Sequence, residues 1–378
     1  MKVRDVLQIA SDRAVCTVAK TSCEDEHAKA IVSVHVDDAL SVGVSDGLDT
    51  IRTSMSSVFT LKTTKNPTLV IGVQIERCRE HRWLKLHQEG YVMKLLEDEG
   101  MLDCKPSSTP IDDGLTKMHR VIGKDVDSTA NLIARKRFQG IFGRLMWLAA
   151  KTRIDIWFTV QFYSRMLSTA GVTELAWIRN QPLRYLNGTR NYGIVYQAGV
   201  NLDMNGSSDS DFAGDLATSR STAGGHIALG EYGTVIANCR LMKGVKTSTG
   251  HAETAACSSW CKEEQALRVQ LREFGLKEQG RADCKIDNAG VVKQAINTTN
   301  HAEAKHYRVA QAHIRELCDE QEVHLVQTPT DLNPADFFTK ALGRASFQRH
   351  RLPLMGPQDN PGITKAKEQA QGMKRKRG

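Results

Sequence analysis

From Asn201 to Ala341 the residue periodicities run strand, strand, strand, helix, strand, helix, helix, strand, helix, an order that predicts a mixed β-sheet with helices packed against it. The runs are short and well punctuated. Ser207 to Phe212, Gly224 to Leu229 and Thr234 to Cys239 read as strands separated by glycines. A helix from about Ala252 to Phe274 carries Trp260, Leu267, Leu271 and Phe274 on one face and stops at Gly275. Asp283 to Asp287 is then a strand, Ala289 to Ile296 and Glu303 to Glu320 are helices, Val323 to Thr328 is a strand, and Pro334 to Ala341 is a last helix.

Four acids fall at the ends of these runs. Asp209 and Asp287 lie on strands, while Glu253 and Asp336 lie in the first turns of helices, so their carboxylates can converge at one edge of a sheet. Converging carboxylates supply the hard oxygen donors that Mg²⁺ prefers and leave coordination positions open for water and phosphate. Paired ions held this way can activate water and neutralise a phosphodiester under attack. The chain has 43 acidic residues, so four of them decide nothing without their local contexts.

The rest of the chain divides around this region. Ile31 to Gly43 is an apolar, β-branched run broken by Asp37 and Asp38, which predicts a hairpin turning at the acid pair. A helix follows from Ser45, then strands at Thr68 to Arg77 and Trp83 to His87, then a helix from Gly90 to Glu99 that stops at Gly100. Asp103 to Asp112 is rich in Pro and Ser and Gly114 to Thr129 is polar, which reads as a linker. Phe138 to Leu148, Ile156 to Leu167 and Trp177 to Leu186 have helical spacing; Pro182 inside the last costs roughly 3 kcal/mol mid-helix and predicts a kink or a late start. The Pro-, Gly- and Lys-rich tail after Met355 reads as disordered. Four regions result: 1–112, 113–197, 198–347 and 348–378.

With 378 residues, 40% hydrophobic and 25% charged, the chain has the composition of a globular protein of two or three domains. A net charge of +8 suits a polyanionic partner without identifying one. Nine irregularly spaced cysteines and no signal sequence point to reduced thiols in an intracellular compartment, a cytoplasmic particle or the nucleus, and no run is apolar enough for a membrane span. Cys257 and Cys261 near His251 lack a second knuckle, which favours buried thiols over a zinc site.

In these contexts the sequence resembles the polymerase region of copia-type retrotransposon polyproteins, colinearly from about Ser11 to Phe347. Val34-His-Val-Asp-Asp38 resembles the Tyr-Val-Asp-Asp hairpin of reverse transcriptases. Ile71-Gly-Val-Gln-Ile-Glu76, Asp103-Cys-Lys-Pro-Ser-Ser-Thr-Pro110, Gly143-Arg-Leu-Met-Trp-Leu-Ala149, Thr152-Arg-Ile-Asp-Ile156 and Leu183-Arg-Tyr-Leu-Asn-Gly-Thr189 continue the match. The region beyond is similar to the family's ribonuclease H, through Ser208-Asp-Ser-Asp-Phe-Ala-Gly-Asp215, Ser219-Arg-Ser-Thr-Ala-Gly224, His251-Ala-Glu253, Asp287-Asn288, Lys305-His306 and Ala335-Asp-Phe-Phe-Thr-Lys340.

The resemblance implies an α/β fold: an RNase H-like mixed sheet with flanking helices at 198–347, preceded by a truncated α+β reverse transcriptase palm at 1–112 and a helical connection or thumb-like region at 113–197. It implies that Asp209, Glu253, Asp287 and Asp336 are the catalytic metal ligands of a two-metal endonuclease acting on the RNA strand of RNA–DNA hybrids. Two Mg²⁺ ions, or Mn²⁺, would be the cofactors, with Asp209 bridging both and Asp211 outside the ligand set. Duplex shape and 2′-hydroxyl contacts would select the substrate. The upstream carboxylate strand of reverse transcriptases has no counterpart before Asp37, so polymerase activity is expected to be lost unless the missing polymerase region or another polyprotein chain supplies it. Asp37 and Asp38 then read as a vestigial polymerase hairpin.

His251, Glu303, Arg308 and Ala312 depart from the family pattern, and His313, one position past Ala312, is rotated by about 100° on a helix. These departures keep open an inactive relic that only binds nucleic acid. Among the smaller features, Lys374 to Arg377 reads as a basic tail or a nuclear import signal, and His306 as a surface histidine or an aid to product release.

Overall fold

The computed structural model describes residues 6–8, 15–18, 29–118, 128–197, 203–276, 280–296 and 305–358. They form two compact units, one of residues 1–70 with 261–280 and one of residues 71–260 with 281–378.

In the first unit, β1 (Val6–Gln8), β2 (Val15–Val18), β3 (Ala30–His35) and β4 (Asp38–Gly43) form an antiparallel sheet in that order. The predicted hairpin is β3–β4, with His35 opposite Asp38 and a two-residue turn of Val36 and Asp37. Val36 takes a positive φ of 53°, as tight hairpin turns require. Helix α1 (Ser45–Ser56) lays Ile51, Leu48 and Met55 on Ala30 and Val32, a small core. The two-residue strand β5 (Leu69–Val70) and the second half of α8 (Thr249–Glu273) complete the unit.

The second unit opens with an antiparallel run of β6 (Val73–Cys78), β7 (Trp83–His87) and β8 (Gly193–Gln197). The sequence predicted one strand from Thr68 to Arg77. The chain is instead interrupted at Ile71 and Gly72, both at positive φ. Helix α2 (Glu89–Asp98) stops as predicted at Gly100, φ 62°. The predicted linker contains a short helix, α3 (Asp113–Met118), whose Leu115 is buried; residues 119–127 lie outside the described residues.

Helix α4 (Thr129–Lys151) begins nine residues before the predicted apolar stretch, because Ser128 caps it by accepting from the Asn131 N–H at 3.3 Å. Helix α5 (Trp157–Ser164) follows. Pro182 does not delay the start of its helix. The chain passes from α6 (Val172–Ile178) through a π turn (Arg179–Leu183) into α7 (Arg184–Gly188), and the wider turn accommodates the proline that an α-helical ladder would exclude. Phe138, Leu145, Leu148, Tyr163, Tyr185 and Leu186 form the centre of this unit's core.

The site is built on the five-stranded sheet. Strands β9 (Met204–Asp215), β10 (Arg220–Leu229), β11 (Thr234–Leu241), β12 (Ala282–Ile286) and β13 (Val323–Gln327) lie in the order β11-β10-β9-β12-β13. The first three pair antiparallel and the last two add in parallel. This is the RNase H-like mixed sheet that the resemblance implies. Helices α9 (Ala289–Ile296) and α10 (Lys305–Asp319) precede β13; a 3₁₀ turn (Thr330–Leu332), α11 (Asp336–Thr339) and α12 (Arg344–Met355) follow it. Sequence periodicity gave no sign of α12, and the tail beyond residue 358, Lys374 to Arg377 included, lies outside the described residues. Among the described residues no helix is long and apolar enough to cross a membrane.

Helices cover the sheet on both faces. Trp260 of α8 donates its indole N–H to the His226 carbonyl at 2.7 Å, across a strand pair where a Cβ on Gly206 would meet that carbonyl at 2.0 Å. On the other face Phe338 of α11 rests on Gly224, where a Cβ would meet the Phe338 Cβ at 2.5 Å. Strand neighbours point to opposite faces, so Gly224 and its partner Asp209 share the α11 face while Ser210 looks toward α8.

His226 is enclosed between these layers, its Nδ1 2.9 Å from Ser207 Oγ, and burial pushes its imidazole down to about 3. The folded chain therefore resists a proton that the unfolded chain accepts below about pH 6.5. Stability from this residue is full above that pH and declines toward pH 3, by at most about 1.4 kcal/mol per pH unit. Urea midpoints measured between pH 7 and pH 5 should fall less steeply for His226→Gln than for the parent; equal slopes would contradict this account.

Candidate functional site

The parallel pairing of β9 with β12 sets the site. Ser207 lies opposite Lys285, so Asp209 and Asp287 are each two residues further along neighbouring strands and emerge side by side. Asp287 was predicted on the strand and stands just past its end. Asp336 arrives from the chain segment after β13. Asn333, fully buried, donates to the Ser208 carbonyl at 3.1 Å and accepts from the Ala335 N–H at 3.1 Å, which pins the start of α11 to β9. Carboxylate oxygens of Asp209, Asp287 and Asp336 all lie within 4.8 Å of one another.

Glu253 approaches from the opposite face. It stands in the second turn of α8, which starts at Thr249, three residues earlier than predicted. Its Oε1 accepts from the Ser210 hydroxyl at 2.9 Å and the Ser210 N–H at 3.3 Å, while its buried Oε2 has no partner. Burial, then the nearby Asp209 charge, pushes the Glu253 carboxyl up to about 8. Burial likewise raises Asp209 and Asp336 above the ordinary carboxylate range, against the pull of Lys340.

Two side chains that sequence reasoning quoted only as part of a motif turn out to belong here. The Thr339 hydroxyl donates to Asp209 Oδ2. The Lys340 ammonium lies 2.8 Å from Asp336 Oδ1 and 3.5 Å from Asp209 Oδ2. Its i,i+4 spacing from Asp336 was the available signal. Ser210 and Asn333 gave none, since a buried serine on a strand and an asparagine in a loop are indistinguishable by pattern from ordinary polar residues.

The other predicted features fall elsewhere. Asp211 is raised by burial but lies outside the three-carboxylate cluster. Asp37 and Asp38 are exposed at the β3–β4 turn and join no metal-capable cluster among the described residues. His313 has its Nδ1 3.5 Å from Ser258 Oγ on α8. The side chains of Lys305 and His306 lie outside the described residues, as does Glu303. Cys257 and Cys261 are buried, as expected.

Three clustered carboxylates fit a divalent cation, which takes oxygen donors and would relieve their mutual repulsion; Glu253 lies outside that cluster and feels the charges of Asp209 and Asp287. Packing keeps them in place. Gly224→Ala should drive α11 off the sheet, costing about 1–3 kcal/mol as an overpacked core position does. The stabilisation gained on adding Mn²⁺, read from melting curves, should shrink in the same variant because Asp336 moves away from Asp209.

No family model matches the chain. The retrovirus-related Pol polyprotein from the Nicotiana tabacum transposon TNT 1-94 is 30% identical over 352 residues, which is 92% of this chain and 26% of that protein. Over most of its length this chain is similar to retrovirus-related Pol polyproteins from transposons. The Pol polyprotein from transposon RE1 of Arabidopsis thaliana is 29% identical over 316 residues, 83% of this chain and 21% of its own length. The chain thus spans about a quarter of the length of the Pol relatives it matches. Among solved structures, a ribonuclease H1 isolated from compost is 16% identical with a TM-score of 0.30, covering 36% of this chain and 93% of its own. A foamy viral protease–reverse transcriptase dRH in complex with double-stranded DNA is 10% identical with a TM-score of 0.44, covering 79% of this chain and 46% of its own.

Proposed function

We propose that residues 198–347 form a ribonuclease H that hydrolyses the RNA strand of RNA–DNA hybrids, with Asp209, Glu253, Asp287 and Asp336 as its metal ligands. The observation that carries this reading is the meeting of Asp209, Asp287 and Asp336 oxygens within 4.8 Å; Glu253 stands outside that cluster, and the charges of Asp209 and Asp287 act on it. Two Mg²⁺ ions bound there would activate water and stabilise the charge of the attacked phosphate. The chain's own groups hold the arrangement: Ser210 fixes one oxygen of Glu253, Thr339 fixes one of Asp209, and Asn333 fixes the approach of Asp336. The net charge of +8 supports a nucleic-acid partner.

The test is incubation of the purified chain with a hybrid labelled on the RNA strand, beside duplex DNA and duplex RNA. Expected are Mg²⁺-dependent cuts in the RNA of the hybrid, abolished by a chelator. Salt-sensitive binding of the hybrid with no cut under any divalent cation would instead mark a protein that only binds nucleic acid.

A further inference from the structure

Lys340 is in an unusual position for a lysine beside a metal-capable site. Its ammonium lies between two of the three clustered carboxylates, 2.8 Å from Asp336 and 3.5 Å from Asp209, and attraction to Asp287 adds to the charge that holds it. Asp209 is 1% exposed, so this ammonium is its one cationic contact at ion-pair distance among the described residues. About a third of the Lys340 side chain remains exposed, at 34%, so the flexible stem has open space into which to withdraw.

Two cations compete for one set of oxygens. A divalent ion bound by Asp209 and Asp336 would take up the lone pairs that the ammonium now engages, and like charges a few ångströms apart repel strongly in a partly buried site. We propose that Lys340 is a tethered counter-cation of this site, neutralising Asp209 and Asp336 when no divalent ion is bound and setting the metal concentration at which the site fills. The inference rests on the metal-ligand reading of these carboxylates given above and adds to it a residue that opposes binding. Lys340 is a positioning residue in this account. It keeps the metal-free carboxylates in the arrangement that the ion later uses, at the expense of affinity.

The experiment measures Mn²⁺ affinity directly, by the paramagnetic signal of the free ion, for the full chain and for Lys340→Met, Lys340→Gln and Lys340→Arg. Removing the charge should tighten Mn²⁺ binding by at least about tenfold, after allowance for solvent screening of a partly exposed group. Lys340→Arg keeps a cation and should stay near the parent value. Melting curves supply a second readout, since both neutral variants should melt lower without metal and show a larger upward shift when Mn²⁺ is added. Unchanged or weaker Mn²⁺ binding in both neutral variants, with the parent still binding, overturns the inference and leaves the metal site standing. Absence of Mn²⁺ binding in parent and variants alike removes the site and the inference together.

Discussion

Replacing Asp209 with Asn is expected to lower hybrid cleavage by roughly a thousandfold or more, because several kcal/mol of metal-borne stabilisation at the phosphate depend on ligands held in place. Asp209 is the central carboxylate: it is 1% exposed, it is held by Thr339 and Lys340, its charge acts on Glu253 and Asp211, and the charge of Asp336 acts on it. The same substitution should have the opposite effect on stability. In the metal-free chain three carboxylates share one small volume with a single ammonium, and a neutral amide of the same shape removes part of that repulsion. The melting temperature without divalent cations should therefore rise in Asp209→Asn, and the increment on adding Mg²⁺ should nearly vanish. A rise in stability paired with a loss of function is the pattern of a site whose charges are kept for chemistry. Cleavage at the parental rate by Asp209→Asn would end the proposal for these residues, and a lower metal-free melting temperature would show that the carboxylates stabilise the fold rather than strain it.

What the sequence revealed about this site was the position of each acid along the chain. The pairing of β9 with β12 explains why that sufficed for Asp209 and Asp287, since each follows by two residues the paired Ser207 and Lys285, Asp209 on β9 and Asp287 just past the end of β12. The extent of β9 was not legible. Ser207 to Phe212 was predicted and Met204 to Asp215 is observed, because Asn205, Gly206, Gly214 and Asp215 carry turn chemistry locally. Pairing with β10 from Met204 to Asp215 overrides that preference, and Ser207, Ser208, Asp209 and Ser210 are all buried polar residues that a hydrophobic pattern cannot assign. Lys340 illustrates the other limit. Its place in the chain is evident, but whether a long cation turns to solvent or to Asp209 is decided by residues more than a hundred positions away.

The motif Thr152-Arg-Ile-Asp-Ile156 supplies the second large expected effect. Arg153 is fully buried and its guanidinium makes four hydrogen bonds: Nε to Asp155 Oδ1 at 2.9 Å, Nη2 to Asp155 Oδ2 at 2.8 Å, Nη1 to the Thr189 carbonyl at 2.9 Å and Nη2 to Thr189 Oγ1 at 2.7 Å. The Tyr185 hydroxyl adds a bond to Asp155 Oδ2 at 2.7 Å. The bidentate fork thus joins the turn before α5 to the end of α7, two stretches that the chain separates by about thirty residues. Arg153→Met should destabilise the second unit by about 3–5 kcal/mol, since it leaves Asp155 charged, buried and without its partner. Arg153→Met with Asp155→Leu should cost clearly less than Arg153→Met alone, because the penalty comes from the stranded charge and not from the lost attraction. Chemical denaturation of the three proteins distinguishes these cases. If the double variant were the least stable, the network would owe its value to the hydrogen bonds that Arg153 makes to Thr189, and the stranded-charge account would fail.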